Sequence, residues 1–203
     1  TLVVHDWGGM IGMAWAVRHP EAIKRLVILN TGAFPLPASK SLPWSLALAR
    51  TPLGALLIRA FNSFSRSAAR VGCKRRSLTA VERAGYTAPY DSWANRIATL
   101  RFVQDIPLRP GDRGYDIIKN VESNLHLFGN TPVLICWGPK DFVFDRHFLA
   151  EFQAHWPGAD VHCYEDCGHY ILEDAASEVI PLIRNFVAGQ SASPAAPERA
   201  LAP

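Results

Sequence analysis

The sequence predicts a fold of the α/β class, in which helices cover a parallel sheet. Short apolar runs typical of buried strands alternate with helical segments, and a long helix-rich stretch separates two of these runs. The predicted strands lie at residues 1–4, 25–30, 132–137 and 160–164. Buried strands that alternate with helices favour parallel pairing, because the crossover helices then cover both faces of the sheet.

The helices between the predicted strands have clear end signals. The first is expected at residues 10–19, where a proline follows directly. Another is expected at residues 145–156, with Asp145 as its N-cap. A last helix is expected at residues 171–187, and Pro181 should interrupt it because proline lacks a backbone N–H.

The long excursion between the second and third strands predicts an inserted helical cap, because a structureless loop of that length would be unusual. The sheet core is therefore expected at residues 1–33 and 129–188, with the cap at residues 34–128. Residues 189–203 are small, rich in proline and without pattern, which predicts a disordered tail.

Composition limits the class of protein. The chain has 203 residues, 49% of them hydrophobic, which suits one domain with a sizeable core. The net charge of +3 is too small to indicate a nucleic-acid partner, and no apolar run is long enough to span a bilayer. Four cysteines do not form a disulfide scaffold in a chain of this size, so we expect a reducing, cytoplasmic setting.

The end of the first strand carries the strongest chemical signal. The run TLVV leads into a tight strand-to-helix turn at His5-Asp6-Trp7-Gly8-Gly9. Such a turn exposes one side chain as a nucleophile, here Asp6, while the glycines relieve crowding. The sequence has no G-x-S-x-G, which argues against a serine esterase. The alternative is that Asp6 only caps the following helix.

Two later residues complete a possible triad with Asp6. Asp141 follows the third strand and His169 follows the fourth, so both fall at strand ends where such sheets place active sites. The order nucleophile, acid, histidine is that of a known triad arrangement. The other place for the acid is at the end of the second strand, where the sequence reads Asn30-Thr31-Gly32 and has no carboxylate. His5 is expected to point away from Asp6, because neighbouring residues of a strand face opposite sides.

An aspartate nucleophile favours reactions at saturated carbon. Its carboxylate displaces a leaving group and forms an ester, which water activated by histidine then hydrolyses. Backbone N–H groups stabilise the developing oxyanion, and the N–H of Trp7 is the expected donor. The Trp7 indole is also a candidate to bind an anionic leaving group, although a packed aromatic is the alternative.

These residues resemble the haloalkane dehalogenase family of the α/β-hydrolase superfamily. The likeness rests on His5-Asp6-Trp7-Gly8, Asp141 and Gly168-His169. It implies the C-terminal part of an α/β-hydrolase fold, with a parallel sheet, flanking helices and an inserted helical cap. The elbow is shared with epoxide hydrolases, so it does not decide the reaction.

The cap and the acid and histidine loops resemble one group within that family, the bacterial cis-β-lactone decarboxylases of long-chain olefin biosynthesis. The segments concerned are LPWSLALARTPLGALLIRAFN, APYDSWANRIATLRFVQDIPLRPGDRGY, CWGPKDFVFD and CGHYILEDA. The resemblance implies a cis-β-lactone with two long alkyl chains, which loses carbon dioxide to give a cis-alkene. Asp6 would attack the lactone, with Asp141 and His169 as partners. No cofactor or metal is expected.

The cap offers candidate surfaces for substrate and partners. An apolar substrate pocket is expected from five residues, although ordinary helix packing would also explain them: Trp44, Leu48, Leu57, Phe61 and Phe102. A basic cluster, Arg70, Lys74, Arg75 and Arg76, predicts either a solvated face or docking to a partner enzyme of hydrocarbon synthesis or to an anionic membrane.

The family has strands before the elbow that this sequence does not contain, so the resemblance implies that N-terminal strands are missing, together with a second oxyanion donor. An unpaired sheet edge exposes hydrogen-bonding groups. We therefore expect the chain alone to be inactive and poorly soluble. Three functions stay open: a β-lactone decarboxylase; a haloalkane dehalogenase or, with less support, an epoxide hydrolase; and a catalytically inactive binding protein.

Overall fold

The computed structural model describes residues 1–189 and contains one parallel sheet. Its four strands are β1 (Leu2–Asp6), β2 (Leu26–Thr31), β3 (Val133–Trp137) and β4 (Asp160–Cys163). They pair in the order β1-β2-β3-β4, so that each strand lies beside the next one along the chain. The predicted α/β class and the four predicted strand positions are confirmed.

Ten α-helices connect or cover these strands in the described part of the chain. They are α1 (Trp7–Ala16), α2 (Trp44–Ala49), α3 (Pro52–Phe61), α4 (Ser63–Val71), α5 (Ala80–Thr87), α6 (Ile97–Gln104), α7 (Tyr115–Asn124), α8 (Arg146–His155), α9 (Ile171–Asp174) and α10 (Ala176–Ala188). Short 3-10 turns lie at Pro20–Ala22, Ala88–Tyr90 and Leu125–Phe128.

The two central strands of the sheet are buried on both faces, which explains their apolar sequences. Every residue of β2 and β3 is buried. On one face, Ile28 and Ile135 pack with apolar residues of α1, α7 and α8. On the other face, Leu29 and Leu134 pack against α9 and α10. Because both faces are covered, these strands show continuous apolar runs rather than alternation.

The inserted helices divide between cap and core. Helices α2, α3, α4 and α6 share a small apolar cluster of their own and form the cap with α5. Helix α7 instead packs Ile118 and Val121 into the main core beside the sheet. The cap predicted at residues 34–128 therefore ends earlier, before α7, because that helix buries its apolar face against α1.

The C-terminal helix is interrupted, but not where the sequence predicts. The break lies at Ala175, whose φ of −131° and ψ of 33° leave the helical region. Pro181 lies inside α10 on its exposed side, where water can satisfy the carbonyl that proline leaves unpaired. The N-cap at Asp145 is confirmed, since its carboxylate accepts from His147 N.

Two further expectations concern the C-terminal tail and membrane-spanning helices. The predicted disordered tail, residues 189–203, lies outside the described residues except for Gly189. None of the described helices has the length and apolar character needed to cross a bilayer.

Candidate active site

The turn between β1 and α1 holds Asp6 in a strained conformation. Its φ of 49° and ψ of −131° fall outside the regions that non-glycine residues usually adopt. Gly9 makes the turn possible, because a Cβ there would collide with Thr31 and lie 2.9 Å from Gly32 O. The Thr31 hydroxyl also donates to the Asp6 carbonyl oxygen. Asp6 makes no side-chain cap to α1 within the described chain, which contradicts the capping alternative.

A β-bulge beside the turn directs Asn30 toward the acid loop. The pairing of β1 and β2 shifts between His5 and Asp6, and Asn30 has a φ of 25°. The Asn30 side chain is fully buried and bonds both the N–H and the carbonyl of Gly138, each at 2.8 Å. It also donates to Asp141 Oδ2 at 3.1 Å. Asn30 thus fixes the loop that carries the acid.

The three predicted triad residues lie together at the carboxyl end of the sheet. His169 Nδ1 lies 2.7 Å from Asp141 Oδ2, which is a charge-assisted hydrogen bond. His169 Nε2 lies 3.9 Å from Asp6 Oδ2, so the imidazole stands between the two carboxylates. The other oxygen of Asp141 accepts from Val143 N at 2.7 Å. The acid is therefore held by backbone and Asn30 while it orients the histidine.

The charges of this group perturb one another. Burial raises the pKa of Asp6 above its ordinary value, and the nearby His169 and His5 oppose the rise only in part. Burial alone would lower the pKa of His169, but the charge of Asp141 and its hydrogen bond outweigh burial and leave the pKa raised. Neighbouring carboxylate and imidazole groups with shifted pKa values are typical of acid–base sites.

A cavity of about 390 Å³ opens above these residues. Asp6, Trp7 and His169 form its polar floor, and 44% of the Asp6 side chain is exposed there. Its walls are apolar and aromatic, including Phe102, whose ring centre lies 5.2 Å from that of Trp7. No described residue accepts a hydrogen bond from the Trp7 indole, which leaves this N–H available to a ligand.

The predicted pocket residues separate into three groups. Phe102 lines the cavity above Asp6, as expected. Trp44, Leu48 and Leu57 do not; they line a neighbouring cavity between cap helices. Phe61 lines neither of these cavities and is 62% exposed. These four residues do not line the cavity above Asp6, because helical periodicity shows an apolar face but not which cavity that face meets, and their contact with substrate stays a prediction.

The prediction that His5 points away from the site is also wrong. His5 Nε2 lies 2.8 Å from the carbonyl oxygen of His169, and the two rings are 4.8 Å apart. Asp6 leaves the extended conformation, with a φ of 49°, so the strand alternation on which the prediction depended does not hold between His5 and Asp6. Burial and the neighbouring His169 lower the pKa of His5, which favours its neutral form.

A buried carboxylate joins the cap to the histidine loop. Asp174 accepts from Gly168 N at 2.8 Å, from Lys74 N at 2.8 Å and from Arg75 N at 3.1 Å. Gly168 is needed there, because a Cβ would lie 2.5 Å from the Gly72 carbonyl oxygen. Sequence reasoning missed Asp174, since a carboxylate inside a helical segment gives no signal of its own.

The predicted basic cluster is engaged within the protein at two of its positions. Arg75 forms ion pairs with Asp166 and Glu178, and Arg76 pairs with acidic residues of α5 and α9. The pairs with Asp166, Glu178 and Glu173 join the cap to the core, whereas the pair between Arg76 and Glu82 of α5 lies within the cap. The guanidinium groups of Arg75 and Arg76 thus bind carboxylates of the protein itself, rather than standing free to bind an anionic surface.

The fold and the site together define a class. A parallel sheet presents an aspartate on a strand-to-helix turn, a histidine facing it, and a second aspartate behind the histidine, in the chain order of α/β hydrolases. The family model for the alpha/beta hydrolase fold matches residues 1–176. The chain belongs to the alpha/beta hydrolase fold family.

Similar proteins refine this placement and confirm the resemblance. The chain is 59% identical over 188 residues to a protein of Shewanella oneidensis named cis-3-alkyl-4-alkyloxetan-2-one decarboxylase. It is 50% identical over 188 residues to a protein of the same name from Xanthomonas campestris. Both alignments cover 92% of this chain but 59% and 62% of the relatives, so the chain spans about three fifths of their length.

Dehalogenases are more distant. A haloalkane dehalogenase of Mycobacterium marinum is 32% identical over 186 residues, covering 88% of this chain and 58% of that protein. The crystal structure of haloalkane dehalogenase DbeA from Bradyrhizobium elkani superposes with a TM-score of 0.79 at 23% identity, over 92% of this chain and 66% of that one. At this identity the structural match shows the shared fold.

Proposed function

We propose that the protein decarboxylates cis-β-lactones carrying two alkyl chains to cis-alkenes. The observation that carries the proposal is the carboxylate of Asp6, which faces His169 at 3.9 Å on the floor of an apolar cavity. The names of the relatives from Shewanella oneidensis and Xanthomonas campestris support this substrate class. Apolar walls suit a substrate whose only polar part is its small ring.

One route uses the site without water. The Asp6 carboxylate attacks the ring carbon that bears oxygen, from the side opposite that bond; the carbon–oxygen bond breaks and releases a carboxylate on the neighbouring carbon. The bond to this carboxylate then supplies the electrons of the new double bond, carbon dioxide leaves, and Asp6 departs as a free carboxylate. The attack inverts the configuration of the carbon that bore the ring oxygen. Carbon dioxide and the Asp6 carboxylate then leave from opposite sides of the new double bond, so cis alkyl groups of the lactone become cis alkyl groups of the alkene.

The other residues have defined parts in this route. His169 carries positive charge more readily than an ordinary histidine, because Asp141 raises its pKa. It therefore stabilises the carboxylate that forms as the ring opens. Trp7, which lines the same cavity, offers its indole and backbone N–H groups as further donors. Asp141 orients the imidazole through its Nδ1.

Haloalkane hydrolysis is the second candidate, supported by the free Trp7 indole beside Asp6. An indole N–H is a donor only and suits a departing halide. The Mycobacterium marinum relative is named for that activity. Here the ester on Asp6 must be cleaved by water, with His169 as base.

The test assays the full-length natural protein on a cis-dialkyl β-lactone and on a bromoalkane. We expect alkene and carbon dioxide from the lactone, lost by at least about 1,000-fold in Asp6→Asn because the nucleophile is gone. Asp116→Asn, an exposed aspartate of α7, is the control and should retain activity. Halide release without alkene would favour the second candidate, and activity of Asp6→Asn on both substrates would refute both.

Location and partners are also proposals. The protein is proposed to act in the cytoplasm, supported by Cys73, Cys136 and Cys167, which are free thiols in the buried part of the fold. Docking to partner enzymes of hydrocarbon synthesis is proposed from the substrate class, since an apolar lactone is best passed on without release into water. Association with a membrane surface is proposed on the same ground.

A further inference from the structure

A second apolar cavity of about 480 Å³ lies within the cap, between α2, α3 and α4. It contains none of the triad residues. Its walls are mostly aliphatic and aromatic, with three serines; the side chains that matter below are Leu57, Ile58 and Leu48. No charged residue of the described chain lines it, so this space is suited to bind hydrocarbon but not to catalyse.

The two cavities are neighbours with a common wall. Four residues line both of them: Leu46, Phe64, Ala68 and Phe142. The wall is therefore one side chain thick. Phe142 directly follows the acid Asp141, and its ring centre lies 5.6 Å from that of His169. The common wall thus stands beside the reacting groups, and Ala68 is its smallest member.

The shape of the proposed substrate requires two neighbouring spaces. The alkyl groups of a cis-β-lactone leave adjacent ring carbons on the same face, so they start side by side and diverge. A single cavity with Asp6 on its floor must already hold the ring and one chain. The other chain needs a second apolar volume that begins close to the first and is separated from it.

We infer that the cap cavity is the binding site for one of the two alkyl chains, entered past Ala68, while the ring and the other chain occupy the cavity above Asp6. This inference rests on the proposed function. It assigns Leu57 and Ala68 to chain-length selectivity rather than to the chemical step. Each methylene buried there raises kcat/KM by about fourfold until the cavity is filled.

The experiment measures kcat/KM for two series of cis-β-lactones, one lengthened at the ring carbon next to the carbonyl and one at the ring carbon bearing oxygen. The variant Leu57→Trp fills the cap cavity. In one series we expect this variant to lower the ratio of long-chain to short-chain kcat/KM by at least about tenfold, which is less than the gain in kcat/KM from burying two methylenes. In the other series the ratio should change by less than about twofold. Ala68→Phe, which closes the entrance, should affect the same series.

Leu42→Trp is the matched control, because Leu42 is a half-buried leucine that lines only the cavity above Asp6. It should affect the other series. Thermal melting verifies that each variant folds. Equal losses in both series with Leu57→Trp and Ala68→Phe, or no loss in either, would overturn the inference.

Failure of the proposed function would look different, because the wild type would then convert no lactone of any length. In that case binding of symmetric dialkyl ketones of increasing length is measured by calorimetry. Affinity that rises with length in the wild type and stops rising in Leu57→Trp supports the cap cavity as a chain site. Affinity that is independent of Leu57→Trp refutes it.

Discussion

The side-chain amide of Asn30 donates a hydrogen bond of 3.1 Å to Asp141 Oδ2, the same oxygen that lies 2.7 Å from His169 Nδ1. The amide also binds both backbone groups of Gly138 at the start of the acid loop. One residue of β2 therefore positions the acid, although it touches no reacting atom. Its position at a bulge is what allows a strand residue to reach this loop.

Replacing Asn30 by alanine should damage both stability and turnover. Gly138 and Asp141 would lose buried partners, and an unsatisfied buried polar group costs about 1–3 kcal/mol. The looser acid loop should lower kcat by about 10- to 100-fold, with a smaller change in KM. Asn95→Ala, at an exposed asparagine, is the control for both measurements. If Asn30→Ala has the kcat of the wild type, Asn30 does not position the acid for turnover.

The fate of water distinguishes the two proposed reactions on the same protein. In the decarboxylation route, Asp6 leaves intact, so no oxygen from water enters its carboxylate. Hydrolysis of a bromoalkane places a water oxygen on Asp6, because the ester carbonyl belongs to that residue. We therefore expect heavy oxygen in the Asp6 peptide after a single turnover with bromoalkane and none with lactone, as measured by mass spectrometry. Equal labelling with lactone would exclude the route given above.

The two reactions should also differ in their dependence on pH. Burial raises the pKa of Asp6 above 3.8, so the nucleophile loses its charge on acidification at a higher pH than an ordinary aspartate. The pKa of His169 is raised above 6.5, so a neutral base exists only above that pH. Bromoalkane hydrolysis needs both an ionised Asp6 and a neutral His169, so its acid limb should contain the pKa of each group. The waterless lactone route needs no base, so the acid limb of lactone kcat/KM should contain the pKa of Asp6 alone.

His5 is the control for this assignment, because its lowered pKa keeps it neutral over the range in which His169 titrates. The variant His5→Gln should leave the difference between the two pH profiles, two titrating groups against one, unchanged. Identical acid limbs for lactone and bromoalkane would show that both reactions need the same protonation state, against the waterless route.

Two adjacent glycines of α1 provide a matched test of the turn. Gly9→Ala should destabilise the protein by about 1–3 kcal/mol, since the new methyl group collides with Thr31 and approaches Gly32 O. Gly8→Ala meets no atom within 4 Å and should be neutral or stabilising by up to about 1 kcal/mol. Melting temperatures of the two variants give the comparison. If Gly9→Ala is as stable as Gly8→Ala, the Thr31 side chain moves aside at little cost and the close contact does not require glycine.

Much of this architecture could be predicted from the sequence because its signals are local. The apolar strands, and the placement of Asp6, Asp141 and His169 at strand ends, follow from short patterns and chain order. The helix break at Ala175 could not be predicted, because it depends on packing of α9 and α10 rather than on a residue that disfavours helix. Proline at 181 gave the stronger local signal and was misleading.

The errors within the site have a common origin in long-range geometry. His5 faces the site because Asp6, the next residue, leaves the extended conformation in a turn that packs closely against Thr31 and Gly32. Leu57 and Phe102 are both apolar residues on cap helices, yet they meet different cavities. Only the docking of the cap on the sheet decides which helix face covers which space.

The carboxylate of Asp174 has a consequence for how the cap can move. It is shared between the backbone of the histidine loop, at Gly168, and the backbone of the cap, at Lys74 and Arg75. A cap that swings away must leave those amides without their acceptor or draw the histidine loop with it. Opening of the cap to admit substrate is therefore coupled to the position of the loop that carries His169. By thermodynamic reciprocity, a ligand that holds the cap closed also holds His169 in its place.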